Sequence, residues 1–272
     1  MPRVSIIMPT YNRASLVGRA IESVRSQTYQ DWELIIVDDA STDDTPYVLS
    51  EWSLRDERIR VFRNERNQYP DISGILNRGL VEAKGVYIAR LDDDDYWILP
   101  DKLERQVAFL DTHPDHVLVG TGVVVLDATG KELFRYYKKE SDSAIRSRAL
   151  FSNPFTHSTV LYRADAARAA GGYGAWRYAE DWALWLELGK RGNMYNLPQY
   201  AIGYMMAGQN KSWVHQRAQA RMIMDIIWHY RHFYPHFFSA YLMHAGAYFY
   251  SFLPRPVRDL FHQQLSQFKR SL

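Results

Sequence analysis

The stretch Val86-Tyr87-Ile88-Ala89-Arg90-Leu91-Asp92-Asp93-Asp94-Asp95-Tyr96-Trp97 runs from apolar residues straight into four consecutive aspartates, with Gly85 just before it. It reads as a short buried strand that delivers acid to its own carboxyl-terminal end. Adjacent carboxylates repel one another, so something positive is required beside them. Hard oxygen ligands favour Mg²⁺ or Mn²⁺ for that role. A solvated acidic loop would also relieve the charge, but a buried strand is an odd way to build one.

The residues upstream suggest what the strand belongs to. Val4 to Met8 is a β-branched run stopped by Pro9, which predicts a buried strand. Thr10 to Arg13 reads as a loop and Ser15 as a helix cap, with Leu16, Ala20, Ile21 and Val24 at helical spacing. Trp32 to Val37 is the next strand and ends in Asp38-Asp39. Ser41-Thr42-Asp43-Asp44 caps a helix that holds Val48, Leu49 and Trp52. A strand over Ile59 to Phe62 and a helix over Ile72 to Ala83 follow. This β-α-β-α-β-α-β order predicts a parallel α/β sheet with crossover helices. Ligands of such sheets bind beyond the carboxyl ends of the strands. Two of those ends carry carboxylates, at Asp38/Asp39 and at Asp92 to Asp95.

Several functions are disfavoured. Gly120-Thr121-Gly122 and Gly171-Gly172-Tyr173-Gly174 have the wrong place or spacing for a dinucleotide fingerprint, and no glycine-lysine phosphate loop is present. A net charge of +2 gives the chain no general attraction to nucleic acid. The chain has 0 cysteines, which excludes disulfides and thiolate metal sites and fits a reducing compartment. The opening Met-Pro-Arg-Val-Ser-Ile-Ile-Met-Pro is interrupted too soon to be expected to act as a signal peptide.

After residue 100 the pattern changes. Leu103 to Leu110 reads as a helix, and Val117 to Leu126 as a strand joined through Asp127-Ala128-Thr129-Gly130 to a hairpin partner at Leu133 to Tyr137. Thr156-His157-Ser158-Thr159 is expected at the start of a strand that ends near Tyr162. Ala164 to Ala170 reads as a helix closed by Gly171-Gly172. Glu180-Asp181 opens a helix over Trp182 to Lys190, where first-turn carboxylates also serve simply as a cap. Gly203 to Ser212 reads as a loop whose basic residue is Lys211.

From residue 213 onwards the chain is helical and aromatic. Val214, Ala218, Met222, Ile226 and Tyr230 step along one face, and His232 to Pro254 contains no Asp, Glu, Lys or Arg. Arg255, Arg258, Lys269 and Arg270 accompany a last amphipathic pattern of Val257, Leu260, Phe261, Leu265 and Phe268. Three roles are open to this region: docking at a membrane interface, packing on the domain or on a partner subunit as in a homodimer, or spanning a membrane. Its histidines, tyrosines and Pro235 make it a poor span.

Taken together, the chain resembles the family 2 glycosyltransferases of the glycosyltransferase-A fold over residues 3 to 212. The resemblance rests on Val4-Ser5-Ile6-Ile7-Met8-Pro9-Thr10-Tyr11-Asn12, Glu33 to Asp43, Ala83-Lys84-Gly85, Leu91 to Trp97, His157-Ser158-Thr159, Gly171-Gly172-Tyr173 and Glu180 to Trp185, in that order. It implies an α/β fold with a mostly parallel, Rossmann-like sheet flanked by helices. A catalytic domain would cover 1–212, with a nucleotide half (1–95) and an acceptor half (96–212), and a helical extension would cover 213–272. Pro9, Thr10, Tyr11, Asp38 and Asp39 would hold the nucleotide. Arg90, Asp92, Asp93 and Lys211 would line the donor side. Asp94, with Asp92, would hold Mn²⁺ or Mg²⁺. Asp181 would be the general base, with Glu180, His157 and Trp182 on the acceptor side or structural. Two departures stand out. Asn67-Gln68-Tyr69-Pro70-Asp71 replaces the family's Asn-x-Gly segment, and Lys211 stands alone where the family often has a basic or histidine-bearing loop.

The implied reaction is chemically coherent. A divalent cation offsets charge on a departing nucleoside diphosphate, and a carboxylate takes the acceptor proton. One base with no enzyme nucleophile gives a single inverting displacement through an oxocarbenium-like transition state. The resemblance therefore implies an inverting, metal-dependent transferase that moves sugar from a nucleotide sugar, most simply a UDP-sugar, to a glycan or lipid-linked glycan. The setting would be bacterial surface polysaccharide synthesis at the cytoplasmic face of the cell membrane. The alternatives are a transferase acting on a protein or small molecule with its tail as a dimer interface, a sugar nucleotidyltransferase, and a non-catalytic nucleotide-sugar-binding module.

Overall fold

Near-continuous β-branched runs can form strands only where both faces of a sheet are covered. The first four strands meet that condition. β1 (Val4–Thr10), β2 (Trp32–Asp38), β3 (Ile59–Arg63) and β4 (Tyr87–Arg90) lie parallel in the order β3-β2-β1-β4. Their side chains alternate between two cores. Ile6, Met8, Leu34 and Ile36 point into one, and Ile7, Ile35 and Val37 into the other. Helices α1 (Val17–Arg25), α2 (Thr45–Arg55) and α3 (Ile72–Glu82) are the crossovers. The computed structural model describes residues 1–206 and 216–252. Lys211, Val214, the loop from 207 to Ser212 and the apolar pattern from Val257 to Phe268 lie outside the described residues.

Two local expectations change in this half. β1 runs through Pro9 to Thr10, so its end lies level with Asp38. Ser15 does not cap α1. Leu16 takes that position with no side-chain cap, because Leu16 and Val17 already bond back to Arg13 O at 2.9 and 3.0 Å.

The second half adds β5 (Tyr96–Trp97), α4 (Lys102–Thr112), β6 (His116–Leu126), β7 (Glu132–Tyr136) and α5 (Asp142–Arg148). A 3-10 turn (His157–Thr159), β8 (Leu161–Arg163), α6 (Ala164–Ala169), α7 (Glu180–Gly189) and β9 (Asn193–Met205) follow. The sheet continues past β4 as β8-β6-β9-β5, with β7 on β6. Here the pairing is mixed. β8 is antiparallel to β4 and β6, whereas β9 is parallel to β6. The hairpin of β6 and β7 forms as expected. Gly203 to Met205, expected in a loop, end β9 instead. Pro198 and the weak alternation of Asn193 to Tyr200 hide this strand in the sequence. Its register with β6 shifts between Gly120 and Gly122, which takes up the irregularity. Thr156 to Thr159 form the 3-10 turn and its lead-in rather than a strand start.

Gly171 and Gly172 end α6 with φ of +81° and +73°, a left-handed geometry that glycine adopts at little cost. A Cβ on Gly172 would sit 2.4 Å from Asn77 Oδ1. Asn77 in turn holds both backbone groups of Tyr173 at 2.8 Å, so α3 positions that tyrosine behind the sheet end.

The carboxyl-terminal helices α8 (Gln216–His229) and α9 (Phe237–Tyr250) put their inner side into the main core. Ile226, Ile227, Tyr230, Tyr234 and Ala240 share a cluster with Ala183, Leu184, Trp185 and Leu188 of α7. The Tyr230 hydroxyl donates to Ala183 O at 3.2 Å and the Tyr234 hydroxyl to Leu186 O at 2.7 Å. No helix among the described residues is long and apolar enough to cross a membrane.

Tyr234 therefore tests whether these helices help to hold the fold. Tyr234→Phe should cost about 1 kcal/mol for the lost hydrogen bond. Tyr234→Ala should cost about 3–5 kcal/mol, as for other large aromatics removed from cores. Urea midpoints measure both, and an unchanged midpoint for Tyr234→Ala would mean that the connection between α8 and α9 contributes nothing to the core.

Candidate active site

The loops that follow β1 and β2 are stitched together. Asn12, at φ +53°, receives Thr42 N on Oδ1 at 2.8 Å, while its own N–H donates to Ser41 Oγ at 2.9 Å. Arg13 N donates to Thr45 Oγ1 at 2.8 Å. Thr10 is buried and Tyr11 exposed at the loop's rim. Asp38 and Asp39 are both buried, with different partners. Asp39 is taken up by the following segment: Asn64 Nδ2 donates to Oδ1 at 2.8 Å and Gln68 N to Oδ2 at 2.9 Å. The Asn67 to Asp71 departure thus closes onto Asp39. Asp38 Oδ1 accepts Ser41 N at 3.0 Å. Its Oδ2 accepts no hydrogen bond from the described residues and has Arg63 Nη1 at 3.5 Å.

The acidic run lies next to these loops, and the positive group beneath it belongs to the chain itself. Arg90 is 0% exposed. Its Nη2 donates to Asp92 Oδ1 at 2.7 Å, its Nε to His157 Nε2 at 2.9 Å, and its Nη1 to Ile7 O. The structure therefore places Arg90 under the run rather than in the cleft. Asp92 N donates to Ser158 Oγ at 3.1 Å, and the Ser158 hydroxyl reaches Asp95 Oδ2 at 2.6 Å.

These contacts separate four identical side chains. Burial works against the charge on Asp92, but Arg90 and the Ser158 hydroxyl outweigh it and hold Asp92 below the usual carboxylate range. Burial, with repulsion from Asp94, pushes Asp93 up to about 7. Burial beside Asp92 pushes Asp95 well above its ordinary value. Arg13 faces the outer pair, with Nε 3.5 Å from Asp93 Oδ1 and Nη2 3.9 Å from Asp94 Oδ2. Asp94 reaches furthest into solvent, its side chain 44% exposed. The oxygen-only donor set suits a divalent cation, which needs one or two carboxylates when phosphate oxygens complete its shell.

His157 stays neutral. Burial and the adjacent Arg90 push its imidazole down to about 3, and its Nε2 also lies 3.0 Å from the Tyr173 hydroxyl. It orients Arg90, and its ring packs edge-on against Trp185.

The start of α7 supplies the second acidic pair. Asp181 accepts Asn153 Nδ2 on Oδ2 and Trp182 N on Oδ1, both at 2.7 Å. Burial raises it, these donors lower it, and Asp92 lies near enough to raise it further. Burial and the Asp181 charge push Glu180 up to about 8. Because the donors point at Asp181, Glu180 is the member of the pair that holds a proton more readily. Trp182 is buried and its indole N–H donates to Ala149 O at 2.8 Å, so it anchors α7 below the site. Arg13, Asn153 and Ser158 are site residues that sequence reasoning assigned no role. Arg13 directly follows the Val4 to Asn12 motif and Ser158 lies inside His157-Ser158-Thr159, but nothing in the sequence pairs Asn153 with Asp181.

The family described as Glycosyl transferase family 2 matches residues 5–169, and the chain belongs to it. A "Putative glycosyltransferase EpsE" of Bacillus subtilis is 40% identical over 205 residues, 73% of this chain and 71% of that one. The "UDP-Glc:alpha-D-GlcNAc-diphosphoundecaprenol beta-1,3-glucosyltransferase WfgD" of Escherichia coli is 43% identical over 107 residues, 39% of this chain and 40% of that one. The fold is the glycosyltransferase-A fold. S. aureus TarS 1-349 in complex with UDP-GlcNAc superposes with a TM-score of 0.70 at 19% identity, over 92% of this chain and 73% of that one. The mannosyltransferase PcManGT of Pyrobaculum calidifontis, in complex with GDP-Man and Mn²⁺, does so at 0.66 and 18%, over 98% of this chain and 80% of that one. The protein is thus a glycosyltransferase, with relatives in polysaccharide biosynthesis, and the nucleotidyltransferase alternative falls away.

The raised Glu180 predicts a pH effect. Its folded pKa of about 8 lies above the ordinary 4.5, so the native state keeps a proton that the unfolded chain releases between those values. The stability this contributes is lost as pH rises through about 8. Glu180→Gln mimics the protonated acid at every pH. Its thermal midpoint should match wild type near pH ~5 and exceed it by several degrees near pH ~9. A pH-independent difference would show that Glu180 is not held neutral.

Proposed function

We propose that the protein moves a sugar from a nucleoside diphosphate sugar to a hydroxyl of a growing glycan, with inversion at the anomeric carbon. One observation carries this reading. The buried Asp38, the acidic run and the Asn153-held Asp181 gather at one end of the sheet, with Asp92 close enough to act electrostatically on Asp181. That arrangement provides a nucleotide side, a phosphate side and a proton acceptor. The nucleotide takes the loops of Pro9-Thr10-Tyr11 and Asp38, whose Oδ2 suits a ribose hydroxyl or base N–H. We infer UDP as the carrier, in keeping with the printed names of WfgD and the TarS complex.

Asp94, backed by Asp92, would hold Mg²⁺ or Mn²⁺ together with the donor phosphates, as the Mn²⁺ in the PcManGT complex encourages. The cation supplies Lewis-acid stabilisation of the departing diphosphate. The protein's own residues do the rest. Asp181, kept ionised by Asn153 and the Trp182 N–H, takes the proton of the attacking hydroxyl. The new carbon–oxygen bond forms on the face opposite the phosphate as the bond to phosphate oxygen breaks. Glu180, holding its own proton, leaves Asp181 as the single base. Arg90 and His157 act from behind by orienting Asp92.

The outer face of α9 gives the reason to place this reaction at a membrane surface. Phe238, Leu242 and Phe249 are 84%, 75% and 69% exposed, and they share one side of a helix that carries no charged residue. Exposed Trp228, in ring contact with Phe237 and Tyr241 of α9, adds to this apolar surface, as suits an interfacial helix. A lipid-linked acceptor, such as the one in WfgD's printed name, would be met there, at the cytoplasmic face.

Two experiments test the reading. Asp181→Asn should lower turnover by about 10²–10⁴-fold with UDP binding nearly intact, whereas Asp94→Ala should abolish the Mn²⁺-dependence of UDP binding in calorimetry. Loss of UDP binding in Asp181→Asn, or unchanged Mn²⁺-dependence in Asp94→Ala, would contradict the roles given. For the membrane, the double substitution Phe238→Glu/Phe249→Glu should release the protein from anionic liposomes in flotation without lowering its thermal midpoint. Removing residues 232–272 would instead strip Tyr234 and Ala240 from the core. Wild-type protein that never floats with liposomes would end the membrane assignment.

A further inference from the structure

Lys138 follows β7 and takes no part in the chemistry described so far. Its segment is held in place by β9. The buried Asn196 donates Nδ2 to Lys139 O at 2.8 Å and to Pro154 O at 3.3 Å, and its N–H donates to Glu140 O at 3.0 Å. Next to Pro154, Asn153 holds Asp181 at 2.7 Å. One buried asparagine thus ties the strand end that carries Lys138 to the loop that fixes the base. The Lys138 ammonium lies 5.7 Å over the Tyr136 ring, and the Tyr136 hydroxyl is 3.1 Å from Thr156 Oγ1, beside His157. Lys138 is half-buried, and no salt bridge to it forms among the described residues. Burial pushes its ammonium down, and Asp181 is the acid that pulls it back up.

A half-buried ammonium is costly unless an anion approaches it. Asp181 is already engaged by Asn153 and Trp182, so the anion must come from elsewhere. Because Asp181 acts electrostatically on Lys138, a group beside a hydroxyl held at Asp181 would lie within reach of the same ammonium's charge. Lysine serves well as a point charge for phosphoryl or carboxylate oxygens. We propose that Lys138 binds an anionic group of the acceptor, phosphoryl or carboxylate, next to the hydroxyl that Asp181 deprotonates. This assignment rests on the transfer reading above. It makes Lys138 a specificity-determining residue that leaves the donor untouched.

The test uses the full chain saturated with UDP and Mg²⁺, titrated with glucose 1-phosphate, glucuronate and neutral glucose as probes in ligand-detected NMR. One of the two anions should bind at least about tenfold more tightly than glucose, the gain of a charge-assisted hydrogen bond. Which anion wins tells phosphoryl from carboxylate. Lys138→Met keeps the side-chain stem over Tyr136 and should remove the advantage, Lys138→Arg should retain most of it, and UDP affinity should stay constant in both. The proposal is overturned if the anions bind no better than glucose. It is also overturned if their advantage survives in Lys138→Met, or if UDP affinity falls with that substitution, which would place Lys138 on the donor side. Wild-type UDP binding is measured first and alone. Its failure would count against the transfer reading, and the anion comparison would then be read without nucleotide.

Discussion

The structure of the site depends on one buried guanidinium. Taking a charge out of water costs several kcal/mol unless it is paired and hydrogen-bonded. Arg90 meets that requirement with groups from three parts of the chain: Ile7 O of β1, His157 Nε2 of the 3-10 turn, and Asp92 at the start of the acidic run. β4, which carries it, is the last strand of the parallel half and pairs antiparallel with β8 of the other half. The interaction that satisfies Arg90 therefore also joins the two halves of the sheet at their carboxyl-terminal edge.

The same network explains how repeated residues come to differ. Asp92, Asp93 and Asp95 begin with the same chemistry and end with different proton affinities, because Arg90 faces one, Asp94 crowds another, and burial isolates the third. The Glu180 and Asp181 pair follows the same rule. Among the described residues, two donors point at Asp181 and none at Glu180 Oε2. Pairs of acids whose environments pull them apart are how a protein obtains one ionised and one neutral carboxyl at neutral pH.

Much of this was legible in the sequence where a period or a strand end made it so. The alternation of Ile6, Ile7 and Met8 announces a strand covered on both faces, and aspartates at the ends of β2 and β4 mark the ligand edge. β9 was not legible, because Pro198 and the polar Asn193 and Asn196 break the strand pattern, and only pairing with β6 restores it. In the sequence, the acidic run points to a metal cation. Arg90 stood two residues away, yet as the last residue of a short strand it gave no sign of which way its side chain turns.

The sequence by itself determined the class of sheet, the acidic strand end, the Glu180-Asp181 pair and the family resemblance, because these depend on residue type and on spacing within one segment. The tertiary structure alone decided that Asp39 is hydrogen-bonded by Asn64 and Gln68 while the buried Asp38 Oδ2 accepts no hydrogen bond among the described residues, and that His157 is neutral behind Arg90. It also decided that α8 and α9 bury one side and expose the other, and that Asn196 ties the segment just after Lys138 to the loop of Pro154. Each of these is a contact between residues far apart in the chain. As for the opening run of aspartates, its repulsion is visible in the sequence, whereas the side chains that make its members unequal meet it only on folding.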